Sequence, residues 1–237
     1  MTSRLLIPAL IAVSLVPVPA FADDAGFFAG FDFSGGAAVG SSSTKDGGAS
    51  WAGGGVVNNV KFSGTASVGG HAGYRFDQAL SGFISYQYIR GDVGWDAAFP
   101  LFGVASNFKG AATSNVILGN LAYDFALSDT TSLRASAGVG LSFNSLSNVT
   151  ETDVGTGLYL ANLADRTRTS PAAQIGAGIQ HRIAPQAVLG LNASVSYTGG
   201  FETGTTRSGN LGVTPITSYK IDDVWRTQLS ASIRFQF

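Results

Sequence analysis

Seven charged residues recur in one kind of setting. Arg75, Arg134, Arg182 and Arg234, with Asp124, and further along Arg226 and Asp32, each lie on the polar side of a segment that alternates polar with apolar residues. Guanidinium groups gathered around a carboxylate could do either of two things. Paired and buried they fill an interior, because a buried charge is tolerated when its opposite stands beside it. Facing water in a narrow passage, a ring of arginines selects anions. Other chemistry is thinly supplied. The two histidines, His71 and His181, fall on opposite sides of the alternation, so one metal ion cannot bind both. Neither sits in a motif that would make it the base of a Ser–His–Asp triad. Absence of Cys removes disulfides, thiolate metal sites and cysteine nucleophiles. Ser42-Ser43-Thr44-Lys45 and Ser106-Asn107-Phe108-Lys109 both fit S-x-x-K, without the partner motifs that would give the lysine a role. Gly138-x-Gly140 and Gly176-x-Gly178 lack the third glycine and the following helix of a dinucleotide site. No catalytic residue, metal or cofactor is expected.

The elements that carry these residues have a period of two. Phe27, Ala29, Phe31 and Phe33 alternate with Phe28, Gly30, Asp32 and Ser34; Ala66 to Phe76 alternates about His71; Ile84, Tyr86 and Tyr88 alternate with Ser85 and Gln87. Ile117 to Phe125, Leu133 to Phe143, Ala173 to Ile183, Leu189 to Tyr197 and Trp225 to Phe237 complete eight such segments, with His181 and Thr227 as polar intruders on the apolar side. Each is long enough to cross a bilayer as a tilted strand of about 9–11 residues. Short gaps (77–81, 126–131, 184–187) take turns with long ones (41–63, 93–112, 145–170, 199–222). Pro100 and Pro215 fall in long gaps, Pro185 in a short one and Pro171 at a strand start, so no proline is expected inside a ladder.

Composition agrees. The 237 residues are 45% hydrophobic, only 12% charged and near neutral, with 14 basic against 15 acidic side chains, so no field draws nucleic acid. Residues 1–22 read as a signal peptide: Arg4, an apolar run, then Ala20 and Ala22 at the −3 and −1 positions of a cut before Asp23. No later run of about 18 apolar residues exists to make a membrane helix. Residues 23–237 therefore read as one domain.

Apolar faces ending in Phe and Tyr, opposed by Gly, Ser, Asn, Gln and Arg, suit a sheet with lipid outside and a polar interior. A closed barrel leaves no unpaired edge in hydrocarbon. The expected fold is an all-β, eight-stranded antiparallel up-and-down transmembrane barrel with periplasmic termini and four long extracellular loops. The closing strand ends in Ile233, Phe235 and terminal Phe237, and resembles the signature by which bacterial outer-membrane barrels are recognised for assembly. Gln174 to Ile179, Tyr123-Asp124-Phe125 and Tyr86-Gln87-Tyr88 are similar to strands of the small opacity-type, OmpA transmembrane-domain-like porin family. That resemblance covers the mature chain and implies outer-membrane localisation, lipid and the β-barrel assembly machinery as partners, and no enzyme. It carries over no catalytic set, and no peptidoglycan-binding domain is expected after Phe237. The expected function is a porin-like or structural protein of the Gram-negative envelope with little or no large-solute conductance. The alternative is a surface adhesin or antigen that binds host or surface ligands through loop residues such as Trp51, Trp95, Phe99, Phe102 and Tyr159.

Overall fold

Strict alternation gives an extended chain one oily and one polar side, and a sheet of such strands hides its backbone from lipid only by closing on itself. In the computed structural model, which describes residues 25–42, 44–46, 55–99 and 103–237, it does so. The expected signal peptide, Ser43, Trp51, Pro100 and Phe102 lie outside the described residues. Eight strands make the ring: β1 (Gly26–Ser41), β2 (Thr65–Arg75), β3 (Leu80–Phe99), β4 (Val104–Ala126), β5 (Thr131–Asp153), β6 (Arg166–Ala184), β7 (Ala187–Tyr197) and β8 (Lys220–Gln236). Each pairs antiparallel with the next, and β8 returns to β1 from Phe28↔Gln236 to Ser41↔Asp222.

Within the membrane the expected faces hold. Phe31, Phe33, Ile84, Leu121, Val139, Ile175, Leu191 and Leu229 are exposed on the outside of the ring, an apolar belt that only lipid can cover. Aromatics edge the belt at the turn end, with Phe27 on Tyr74 and Tyr123 on Phe125, ring centroids 5.0 and 4.7 Å apart. The turns 76–79, 127–130 and 185–186 are short. Asp77 Oδ1 accepts from the Ala79 and Leu80 amides at 2.8 and 2.7 Å, which fixes the first of them. Outer-membrane barrels keep short turns and termini on the periplasmic side.

The long gaps depart from expectation. β3, β4 and β5 run 20, 23 and 23 residues, about twice what a bilayer needs, so most of 93–112 and the first part of 145–170, through Asp153, are ladder rather than loop. Shorter strands Gly55–Phe62, Tyr159–Leu163, Thr206–Gly209 and Gly212–Pro215 extend the sheet further. The physical reason is an inversion of polarity with the period kept. From Arg90 onward the outward side of β3 carries Arg90, Asp92, Gly94 and Asp96, and the inward side carries Val93, Trp95, Ala97 and Phe99. Outside the bilayer the solvent is water, so the apolar side turns in. Pro171 is a second departure. It lies inside β6 opposite Leu141, where the β7 ladder has already ended at Tyr197↔Ala173, so a residue without an amide proton has a neighbour on one side only.

Candidate functional site

The lumen holds the chemistry in three tiers. At the periplasmic end the register sets Asp124 of β4 directly across from Arg134 of β5. The carboxylate, only 3% exposed, takes 3.0 Å hydrogen bonds from Arg134 Nη1 and from Arg75 Nη2 of β2. Arg134 also donates to Ser81 Oγ at 2.9 Å and lies 5.4 Å over the Phe83 ring. Arg234 stands 5.3 Å over Phe28, and its Nε has no hydrogen-bond partner among the described residues. Arg182 is exposed and lines the periplasmic mouth with Arg75, Asp124 and Arg234. Four guanidinium groups thus gather near one carboxylate, and two of them pair with it.

The middle tier is a cavity of about 100 Å³, room for a few water molecules and not for a solute. Asp32 and His71 face it, joined Oδ2 to Nδ1 at 2.7 Å. His71 Nε2 lies over Gly30, where a Cβ would stand 2.6 Å away, so the ring depends on that missing side chain. Asp32 therefore pairs with His71 and not with an arginine. His181 faces outward and meets Thr131 Oγ1 at 3.0 Å. Among the described residues no three His, Asp or Glu side chains stand together as metal ligands.

The upper tier is a closure. Arg226 is 2% exposed, donates to Ser114 Oγ at 2.8 Å and lies 5.9 Å over Phe201; its Nε and Nη1 have no hydrogen-bond partner among the described residues. Ser114 donates in turn to Asn144 Oδ1 at 2.6 Å. The amide of Asn144 then donates to the carbonyls of Thr198 and Gly200 at 2.6 and 3.0 Å, and Ser142 Oγ donates to Thr198 O at 2.6 Å. These bonds hold segment 198–204 folded inward across the barrel mouth. Gly199, at φ 74°, makes the turn, and Phe201 is wholly buried. Above it Trp95 stacks on Phe108, centroids 5.3 Å apart and 4° from parallel, with Tyr219 packed on both. Val93, Leu146, Val149, Ile221 and Val224 complete this core.

Two pairings were not anticipated. Glu151 accepts from Arg207 Nε at 2.6 Å and from Ser106 Oγ at 2.8 Å, buried in the extracellular sheet; Arg168 bonds Asp222 at 2.8 Å. Glu151 and Arg207 sit in the long gaps 145–170 and 199–222, and the inverted alternation is the sequence signal for them. Trp95 and Phe99, expected on a binding surface, are instead 2% and 5% exposed inside the core, whereas Tyr159 is exposed.

A closed ring of eight antiparallel strands with an apolar outside and a polar, charge-bearing inside defines a transmembrane β-barrel of the outer membrane. The model of the outer membrane protein beta-barrel domain matches residues 9–237, and the chain belongs to that family. Among solved structures it is similar to the outer membrane protein OprG from Pseudomonas aeruginosa, at 16% identity and TM-score 0.54 over 91% of this chain and 97% of that one. It is also similar to Neisserial surface protein A, at 18% identity and TM-score 0.43 over 90% and 99%. No curated protein matches it.

Proposed function

We propose that this protein is a porin-like, structural component of the outer membrane that conducts large solutes poorly or not at all, and that it is not an enzyme. The observation that carries the reading is segment 198–204, whose wholly buried Phe201 lies against the guanidinium of Arg226. Below it Arg75, Arg134 and Asp124 tie β2, β4 and β5 across the lumen, so the lower charge cluster acts first as an internal brace. Arg234, Arg182 and Arg226 give any residual passage an anion preference. The outward-facing Ile233, Phe235 and Phe237 of β8 serve as the recognition strand for the assembly machinery, after removal of residues 1–22. Planar-bilayer recording of the purified barrel tests the main point. Silent or rare, small openings are expected; stable openings that pass sugars overturn it.

A second reading, a surface adhesin or antigen, is favoured by one feature. Leu158, Tyr159, Leu211 and Val213 are exposed on and beside the extracellular sheet, whose last strand, Gly212–Pro215, has one edge unpaired among the described residues. Binding to host cells that is abolished by Leu211→Asp and Val213→Asp, in a barrel that stays silent, would favour this reading.

A further inference from the structure

Three basic side chains on the outside of the barrel, just beyond the lipid belt, have no role in the lumen or its closure. Lys61 and Lys109 flank one residue: the register pairs both with Gly94 of β3, from Gly55–Phe62 on one side and from β4 on the other. Arg90 lies on the same outward side of β3, four residues nearer the membrane and one outward position beyond Tyr88. All three are exposed, and no salt bridge among the described residues includes any of them. Other arginines of the extracellular part are paired: Arg166 with Glu202, Arg168 with Asp222, Arg207 with Glu151.

Gly94 contributes no side chain, so the two lysines border a notch that forms part of a surface cavity of about 750 Å³. Two strand spacings set their Cα atoms about 10 Å apart, within reach of one small anion for two flexible four-carbon stems. Asp92 and Asp96 also face outward here, and Asp96 is occupied by the amide of Asn59 at 2.8 Å. Three cations against two carboxylates leave the notch positive. Its height decides the ligand. Tyr86 and Tyr88 mark the level where aromatics sit among lipid headgroups, and Arg90 is the next outward position.

We propose that Lys61, Lys109 and Arg90 bind the phosphate of a lipid headgroup in the outer leaflet, one lipid seated with its acyl chains on the apolar face of β3 and β4. The proposal rests on the membrane-barrel reading and is independent of whether the lumen conducts. Native mass spectrometry of the detergent-solubilised, full-length barrel tests it, with diphosphorylated lipid A as the probe. Wild-type protein should carry one lipid A per barrel. Lys61→Gln with Lys109→Gln should weaken binding about thirtyfold, the weight of two cations at an anionic lipid surface. Lys61→Arg with Lys109→Arg should keep it, and Lys220→Gln, on β8, should be neutral. Heat-dependent gel mobility checks that each variant is a folded barrel. Equal binding by the glutamine variant, or by lipid A stripped of its phosphates, would overturn the proposal. Displacement of bound lipid A by millimolar inorganic phosphate would show a free-anion site and overturn the lipid assignment.

Discussion

Gly199→Ala is the sharpest test of the closure. Gly199 has φ 74°, a region costly to a residue with a Cβ, and a Cβ built there would overlap Ser170, with Oγ at 2.5 Å. The backbone strain costs on the order of 1–2 kcal/mol and the overlap about 1–3 kcal/mol more. Against this stand the burial of Phe201, about 1.5–3 kcal/mol, and roughly 1 kcal/mol for each hydrogen bond from Asn144 and Ser142. The two sums are comparable, so alanine should leave segment 198–204 partly released. The eight-stranded ladder, which does not depend on that turn, should persist. The assay is single-channel recording together with amide exchange at Phe201 and Thr203. Gly199→Ala should open measurably more often than the parent and lose protection at both amides. Gly157→Ala is the control: φ is 69° but nothing lies within 4 Å, so it should be strained and silent. If Gly199→Ala keeps both the parental conductance and the protection, the segment is not the seal.

Further predictions concern the lumen, the register and the ends. Asp124→Asn leaves Arg75 and Arg134 without their buried counter-ion and should cost about 3–5 kcal/mol in urea unfolding from vesicles. Asp124→Leu with Arg134→Met should cost much less, and equal losses would refute the brace. Gly178→Leu should destabilise by at least ~1–3 kcal/mol, because its Cβ would sit 2.6 Å from Asn192 Cα, while its lipid-facing neighbour Ala177→Leu should cost little; the opposite order would exchange inside and outside. The Leu80 and Ala79 amides hold the Asp77 carboxyl below its ordinary value, so the turn gains stability from ionised Asp77 above about pH 4 and loses it as pH falls through the lowered value. Exchange at the Leu80 amide should speed up at that acid edge, and Asp77→Asn should flatten the profile. Deleting Phe237 should lower the membrane-inserted fraction; normal insertion at high expression would count against a recognition role.

Much of the fold was legible because one rule, period two, applies wherever a strand has two different solvents on its two sides. It set the faces of all eight strands and turned Arg134 and Asp124 to the same inward side, while their direct pairing comes from the register. It did not reveal that Asp32 belongs to His71 or that Arg226 meets no acid among the described residues, since those depend on which strands meet across the lumen. The long gaps were misread for a related reason. Val93, Trp95, Ala97 and Phe99 continue the alternation of Ser85 and Gln87, but with oily residues where polar ones had been. Past Arg90 the polar side changes while the period stays constant, so only the period marks the strand there.

That reversal explains the apolar core above the lumen. A strand crossing lipid turns its apolar side out and leaves its polar side to fill the lumen; once it emerges into water, the same register points the next apolar residues inward. A core forms on the axis above the membrane, and its size grows with the length of strand beyond the boundary. β3, β4 and β5 extend furthest and supply Trp95, Phe108, Leu146 and Val149; segment 198–204 and β8 add Phe201, Ile221 and Val224. Arg226 lies at the junction, its guanidinium between Ser114 below and Phe201 above. The core above this lumen is thus a consequence of strand length and solvent: a barrel with these strands cut at the lipid boundary would keep its polar lumen and lose that core.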